Sequence, residues 1–173
     1  MNLTIPQLTT LGNHIRANTD VNGNLGNIGA IIDAYNADSS FFVWRENVPA
    51  GELGEVFDLS NVGNLTSANI ERLTGAFAIV NSNGGEFHGS REDHRAFFED
   101  VFSGAAGNET RPAVLSAWQR LATLAESLFA TGTGTECTEL NSDGTPSTGS
   151  PGDLVVEGQV DLSNIDQALE LTA

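Results

Sequence analysis

The sequence predicts a mainly α-helical protein. It reads as a compact helical domain of about five to six helices over residues 1–130, a Gly/Ser/Thr-rich linker arm over 131–153, and a C-terminal β-strand and short helix over 154–173. Three observations carry this. Apolar residues recur at helical spacing through the first 130 positions. After Ala130 the composition changes abruptly, with 16 Gly, Ser, Thr or Pro among the 23 residues of TGTGTECTELNSDGTPSTGSPGD, the mark of a flexible or extended connection. Beyond it, LVVEGQV has the β-branched character of a strand, and Asp161 to Leu171 carry Leu162, Ile165 and Leu169 at helical spacing.

The elements follow in order. Pro6 fits a first helical turn, with Leu8, Leu11 and Ile15 behind it. After the turn-rich NTDVNGN, Leu25, Ile28, Ile32 and Tyr35 repeat the stripe. Phe41, Phe42, Val43 and Trp44 form an apolar run too short for a helix and closed by Pro49, so a buried extended segment or brief strand is expected. A short helix over 50–57 would turn Leu53, Val56 and Phe57 inward. Between 67 and 80 the stripe is Ile70, Leu73, Phe77 and Val80, stopped by NSNGG, which supplies the positive-φ residues that helix ends use. Ser90 and Asp93 are spaced as a capping box. The helix they open sets His94, Phe97, Phe98, Val101 and Phe102 against Arg91, Glu92, Arg95, Glu99 and Asp100, and ends at Gly104 to Gly107. The longest helix is expected over about 112–130, burying Val114, Trp118, Leu121, Ala125 and Leu128, with Ser116, Arg120, Thr123 and Ser127 facing away. A solitary LVVEGQV strand cannot satisfy its own backbone, so it either folds back onto this domain or pairs with a neighbouring subunit.

Charge narrows the function. The chain of 173 residues holds 23 acids against seven bases, a net charge of −16 and a pI near 4.2; all seven bases are Arg. They are scattered along the chain, which excludes the clustered cations of a tight nucleic-acid clamp. From residue 121 onward there are nine acids and no base, more than half of the net charge. The amphipathic start, broken by Pro6, is no signal peptide and no segment is apolar enough to span a membrane, so synthesis in a cytoplasm is expected. The single cysteine, Cys137, excludes an intrachain disulfide and a Cys-rich zinc site. The sequons at Asn2, Asn64 and Asn108 are read as chance in a chain rich in Thr and Asn.

No catalytic constellation emerges. The histidines are His14, His88 and His94, with no nucleophile elbow. His94 falls on an aromatic helix face and reads as a core or interface residue. His88 with Glu86 and Asp93 matches no metal-ligand signature. Asp20 to Asn24 has the oxygen spacing of a calcium loop, but Leu25 replaces its glycine and Ile31 its glutamate. With no Lys in the chain a Walker phosphate loop is impossible. Cys137 sits in an acidic setting that disfavours a thiolate. The expectation is a protein that is not an enzyme, with no catalytic residue, cofactor or metal.

The runs FFVWRENVP, REDHRAFFEDVFSGAAGNETRPAVLSAWQRLATLAESLFATGTGT and SPGDLVVEGQVDLSNIDQALEL together resemble a set of small proteins encoded among the virion-structure and assembly genes of tailed bacteriophages. The VWR segment, the FSG helix end, the LFATGTG junction and the VVEG strand recur there in this order, from residue 41 to the end. The resemblance implies a virion structural protein, most of all a head-to-tail adaptor or neck-ring subunit. Its partners would be copies of itself in a ring and the portal, neck or tail components, assembled in the host bacterial cytoplasm and carried in the virion. A non-virion tail assembly chaperone and a capsid-decorating or tail-associated protein are the alternatives. An acidic surface suits a ring through which DNA passes and equally suits a saline host. The contacts expected are Leu154, Val155, Val156, Ile165 and Leu169 in the arm, acting in trans on a partner. Trp44 and Arg45 are added, unless the VWR segment is simply core.

Overall fold

The computed structural model describes residues 1–18 and 25–173, and its fold is mixed α/β, not mainly α. It is 50% helical and 17% strand, with nine α-helices and three two-stranded sheets among the described residues. The elements are α1 (Ile5–Ala17), α2 (Ile28–Asn36), β1 (Asp38–Trp44), β2 (Val48–Pro49), α3 (Ala50–Glu55), α4 (Leu59–Gly63), α5 (Ser67–Ser82), β3 (Glu86–Phe87) and α6 (Glu92–Val101). A 3₁₀ turn (Gly104–Gly107) leads to α7 (Thr110–Ala117), β4 (Gln119–Thr123), α8 (Leu124–Ser127), β5 (Thr135–Leu140), β6 (Pro146–Ser150) and α9 (Leu162–Leu171).

Two parts of the helical reading are corrected. The long helix expected over 112–130 is broken in the middle. The Trp118 N–H closes α7 onto the Val114 and Leu115 carbonyls, and residues 119–123 then extend as β4 in a two-stranded sheet with β1. The Arg45 N–H bonds the Trp118 carbonyl at 2.8 Å and the Ser39 hydroxyl bonds the Ala122 carbonyl at 2.8 Å, so tertiary pairing overrides the helix preference of Gln-Arg-Leu-Ala. The arm over 131–153 is also ordered. β5 and β6 pair antiparallel, Thr135 with Ser150 and Leu140 with Pro146, around an Asn141 to Thr145 turn in which Asp143 accepts from the Thr145 N–H at 3.0 Å and Gly144 has φ +84°. Asp-Gly between Thr-rich runs is a hairpin signal that bulk composition hides.

The chain divides into two compact units. The first comprises Met1–Phe41, Leu121–Gly132 and Gly152–Ala173, and the second Phe42–Arg120 and Thr133–Pro151.

In the first unit α1 opens at Thr4, whose N–H donates to Gln7 Oε1 at 2.9 Å, and α9 opens at Asp161, which accepts from the Asn164 N–H at 2.9 Å. Its core is Leu8, Leu11, Ile15, Ile31, Tyr35, Ala125, Val160, Ile165 and Ala168. The expected strand at LVVEGQV is absent; residues 154–160 are irregular. Side chains replace the missing strand partner. Asn36 bonds both the Val160 N–H (2.8 Å) and its carbonyl (2.9 Å), and Glu126 Oε1 accepts from the Gly158 N–H at 2.9 Å. The arm is therefore part of this unit's own core and not a free tail. α1 and α9 touch through Gly12, where a Cβ would stand 2.2 Å from the Ala168 carbonyl oxygen.

The second unit is built around Phe98 on α6. Its ring meets Phe87 at 5.3 Å, Trp118 at 5.1 Å and Phe57 at 6.0 Å between centroids, with Leu53, Leu73, Val101, Phe102 and Val114 completing the core. Arg95 overturns its expected place on the solvent face, since it is only 3% exposed. Its guanidinium lies 4.3 Å over the Trp44 ring, Nε donates to the Gly144 carbonyl at 2.7 Å and Nη1 to the Gly89 carbonyl at 2.5 Å.

Three perturbations test this packing. Gly12→Val should cost about 1–3 kcal/mol by forcing α1 from α9, read by urea unfolding; deletion of residues 154–173 should strip the first unit of cooperative structure by circular dichroism. Arg95→Leu should cost about 3 kcal/mol, because it strands two carbonyls that lose their donor. A surface-like loss near zero in the same unfolding measurement would contradict the clamp.

Candidate interaction surfaces

The seven contact residues expected from the sequence fall into three groups. Trp44 is buried beneath Arg95, and Arg45 is bound to its own unit, donating to the Ala117 carbonyl at 2.8 Å and gripping the Glu52 carboxylate with both Nη atoms, one at 2.9 Å. That guanidinium holds the Glu52 carboxyl below its ordinary range. Ile165 is fully buried in the first unit and Leu169 is half-buried against the same core. Leu154 and Val156 are half-buried, which leaves Val155, 58% exposed, as the residue of the seven that is presented outward. Leu162 and Leu171 of α9, given no contact role by the sequence, are exposed as well.

A surface that the sequence did not mark lies on the second unit. α5 is 16 residues long, yet only Leu73 is buried. The sequence stripe placed Ile70 inward, but it is exposed, while Ile79, outside that stripe, is 63% exposed. Nine residues apart at 3.6 per turn, the two isoleucines flank the helix on opposite sides. Ile79 borders an apolar groove of about 260 Å³ walled by Ala76 and Val80 of α5, Phe87 of β3 and His94 and Phe97 of α6. On the other side Phe57, Leu73, Phe77 and Ala78 line a second, shallower depression of about 420 Å³. The only signal for this in the sequence was Ile79 itself, an apolar residue off the helical stripe.

At the floor of the Ile79 groove, His94 Nδ1 accepts the His88 backbone N–H at 3.0 Å, and its ring meets Phe87 edge-on at 5.7 Å. That bond requires an unprotonated Nδ1. Burial, with help from the Arg91 and His88 charges and against Asp93, pushes the His94 pKa below its ordinary value. Nearby, the Ser90 hydroxyl donates to Glu46 Oε2 at 2.8 Å, and the same carboxylate lies 4.0 Å from His88 Nδ1. Among the described residues no group of three or more His, Cys, Asp or Glu is placed to hold a metal. The calcium-like turn at Asp20 to Asn24 lies outside the described residues.

On the other side of α6, Arg111 Nη1 pairs with Glu99 Oε2 at 3.2 Å and Arg72 Nη2 with Asp100 at 2.7 Å, Arg72 also lying 5.6 Å over the Phe97 ring. These are paired charges and not an open cationic site. Cys137 is buried, its thiol donates to the Glu139 carbonyl at 3.2 Å, and burial pushes its pKa up, the environment of an inert thiol. No described helix is long and apolar enough to cross a membrane.

With that geometry in hand, comparison of the chain with protein-family models, with curated proteins and with solved structures finds no match.

The His94 bond sets a pH dependence. Above the ordinary histidine pKa of about 6.5, both folded and unfolded chains hold His94 neutral. As pH falls below that value the unfolded chain takes up a proton that the folded one resists, so stability is lost downward from there to the lower folded pKa. Urea unfolding between pH 7.5 and 5 should show a steeper loss for the native chain than for His94→Gln, which keeps a side-chain acceptor but cannot titrate. Equal slopes would refute the assignment.

Proposed function

We propose that this chain is a non-enzymatic structural protein of a tailed-phage particle, a head-to-tail adaptor or neck-ring subunit. Its partners are further copies of itself and the portal, neck or tail components, and it is assembled in the bacterial cytoplasm and retained in the virion. The observation that carries this reading is the Ile79 groove, an exposed isoleucine beside a walled apolar trough on a helix that buries a single side chain. An apolar surface of this kind on a chain of net charge −16 is suited to contact with another protein. Val155 supplies a second apolar point on the other unit. Two further features support the reading: the resemblance carried by the VWR, FSG, LFATGTG and VVEG segments, and the acidic surface, past which DNA phosphates slide without adhering.

The proposed contacts differ from a trans-acting arm. With residues 154–173 folded into the first unit, docking falls to side chains presented by folded elements and not to a strand lent to a neighbour.

Quantitative mass spectrometry of purified particles decides the role. A ring at one vertex requires on the order of a dozen copies; hundreds would make it a decorating protein, and none would make it an assembly chaperone. In solution, Ile79→Asp should change stability by less than about 0.5 kcal/mol yet weaken self-association by at least about tenfold in light scattering. An unaltered association constant would remove the groove from the contact.

A further inference from the structure

Trp118 sits where α7 hands over to β4, and it is 1% exposed. Its indole Nε1–H is the one buried side-chain polar atom among the described residues without a hydrogen-bond partner. Buried donors are seldom left in that condition, because the desolvation penalty is paid in full. The residue is closely packed on its backbone, ring and Cβ sides. The Trp118 carbonyl is tied to the Arg45 N–H at 2.8 Å, the indole meets Phe98 edge-on at 5.1 Å, and a Cβ built at Gly89 would stand only 3.0 Å from the Trp118 Cβ.

Beside the indole lies a cavity of about 10 Å³, walled by Trp118, Phe98, Leu140, Glu99, Arg95 and Arg111 among others. That volume is the least that holds one water, and it excludes any larger ligand. A buried water also needs two or more polar partners. Trp118 and Glu99 both line it, which puts the unpartnered indole donor and a carboxylate acceptor on residues of the same wall. The Glu99 side chain is only 14% exposed, and its Oε2 already accepts from Arg111 Nη1 at 3.2 Å, which leaves Oε1 for a second bond. The cavity volume is too small for chloride or a polyatomic anion, and the two arginines disfavour a cation.

We propose that this cavity is a binding site for a single ordered water, which accepts from Trp118 Nε1–H and donates to the Glu99 carboxylate. The water completes the polar accounting of the second unit's core. It also joins the Arg111–Glu99 pair to Trp118, so that α6 and the end of α7 are linked by a hydrogen-bonded chain as well as by aromatic packing. Glu99 and Arg111 also line the wider polar clefts outside, so the water stands at the inner end of a polar path from the surface.

The test uses the full-length protein labelled with ¹⁵N, the Trp118 indole proton being assigned with Trp118→Phe. The expected result is a cross-peak from that proton to water whose NOE and ROE have opposite signs, the mark of a long-lived buried water. Glu99→Gln, which keeps an acceptor, should retain it; Glu99→Leu should lose it while the far-ultraviolet circular dichroism is unchanged. A high-resolution crystal structure of the native chain provides an independent reading that needs no variant. Density for a water about 2.9 Å from Nε1 supports the site. A missing cross-peak in the native protein overturns it, as does an indole N–H bonded directly to a protein oxygen in the crystal.

Discussion

The second unit depends on a buried arginine. Taking a guanidinium out of water is expensive, and it is tolerated only where the group is well partnered. Arg95 is held by stacking on Trp44 and by donating to the carbonyls of Gly89 and Gly144. Those three partners lie on β1, on the turn before α6, and in the β5–β6 turn, so one side chain on α6 joins three segments distant in sequence. The hairpin turn can reach it only because residue 144 is glycine. Its φ of +84° is a left-handed conformation, and a Cβ there would stand 2.2 Å from the Glu92 carbonyl oxygen. The aromatic cluster around Phe98 supplies apolar burial, whereas Arg95 specifies which pieces of backbone come together.

A second theme is the use of side chains as strand partners. Two-stranded sheets are marginal alone, and an irregular segment in a core must settle its N–H and carbonyl groups by some other route. Gln119 lies along β5, donating to the Cys137 carbonyl at 2.8 Å and accepting its N–H at 2.7 Å, as a neighbouring strand would. Asn36 does the same for Val160, and Glu126 caps Gly158 while closing its own helix with the Thr123 N–H at 2.9 Å. Glu126 is 2% exposed, yet its carboxylate oxygens face backbone donors. These residues look like ordinary polar surface in the sequence, and their role exists only once the backbone they serve is in place.

This explains which features were legible. α1, α2, α5, α6 and α9 could be read because each carries a local signal, such as Pro6 in a first turn or the Leu162, Ile165 and Leu169 spacing. Where the deciding interaction is long-range, local reading failed. Residues 119–123 have helical composition and were drawn into β4 by β1, about 80 positions away in the chain. LVVEGQV has strand composition but lost its strand to the amides of Asn36 and the carboxylate of Glu126. Arg95 shares a helix stripe with charged neighbours, and nothing local distinguishes it from Arg91, which pairs with Asp93 at the surface. Val155 stands exposed as an apolar residue in a polar region, and its composition alone marks it. The periodicity of Ile165 says only that it is buried and not against what; the structure buries it in the first unit's own core.

The first unit has a consequence for the order in which the protein is made. Its core joins α1 to residues 152–173, so the α1 face is completed by residues polymerised about 150 positions later. The second unit needs no residue beyond Pro151, so its last segment is polymerised before the segment that completes the first unit. At about 5–20 residues per second the interval is roughly 1–4 s. During it α1 carries Leu8, Leu11 and Ile15 without the helix that covers them. Until α9 is made, that apolar face is open to other nascent chains.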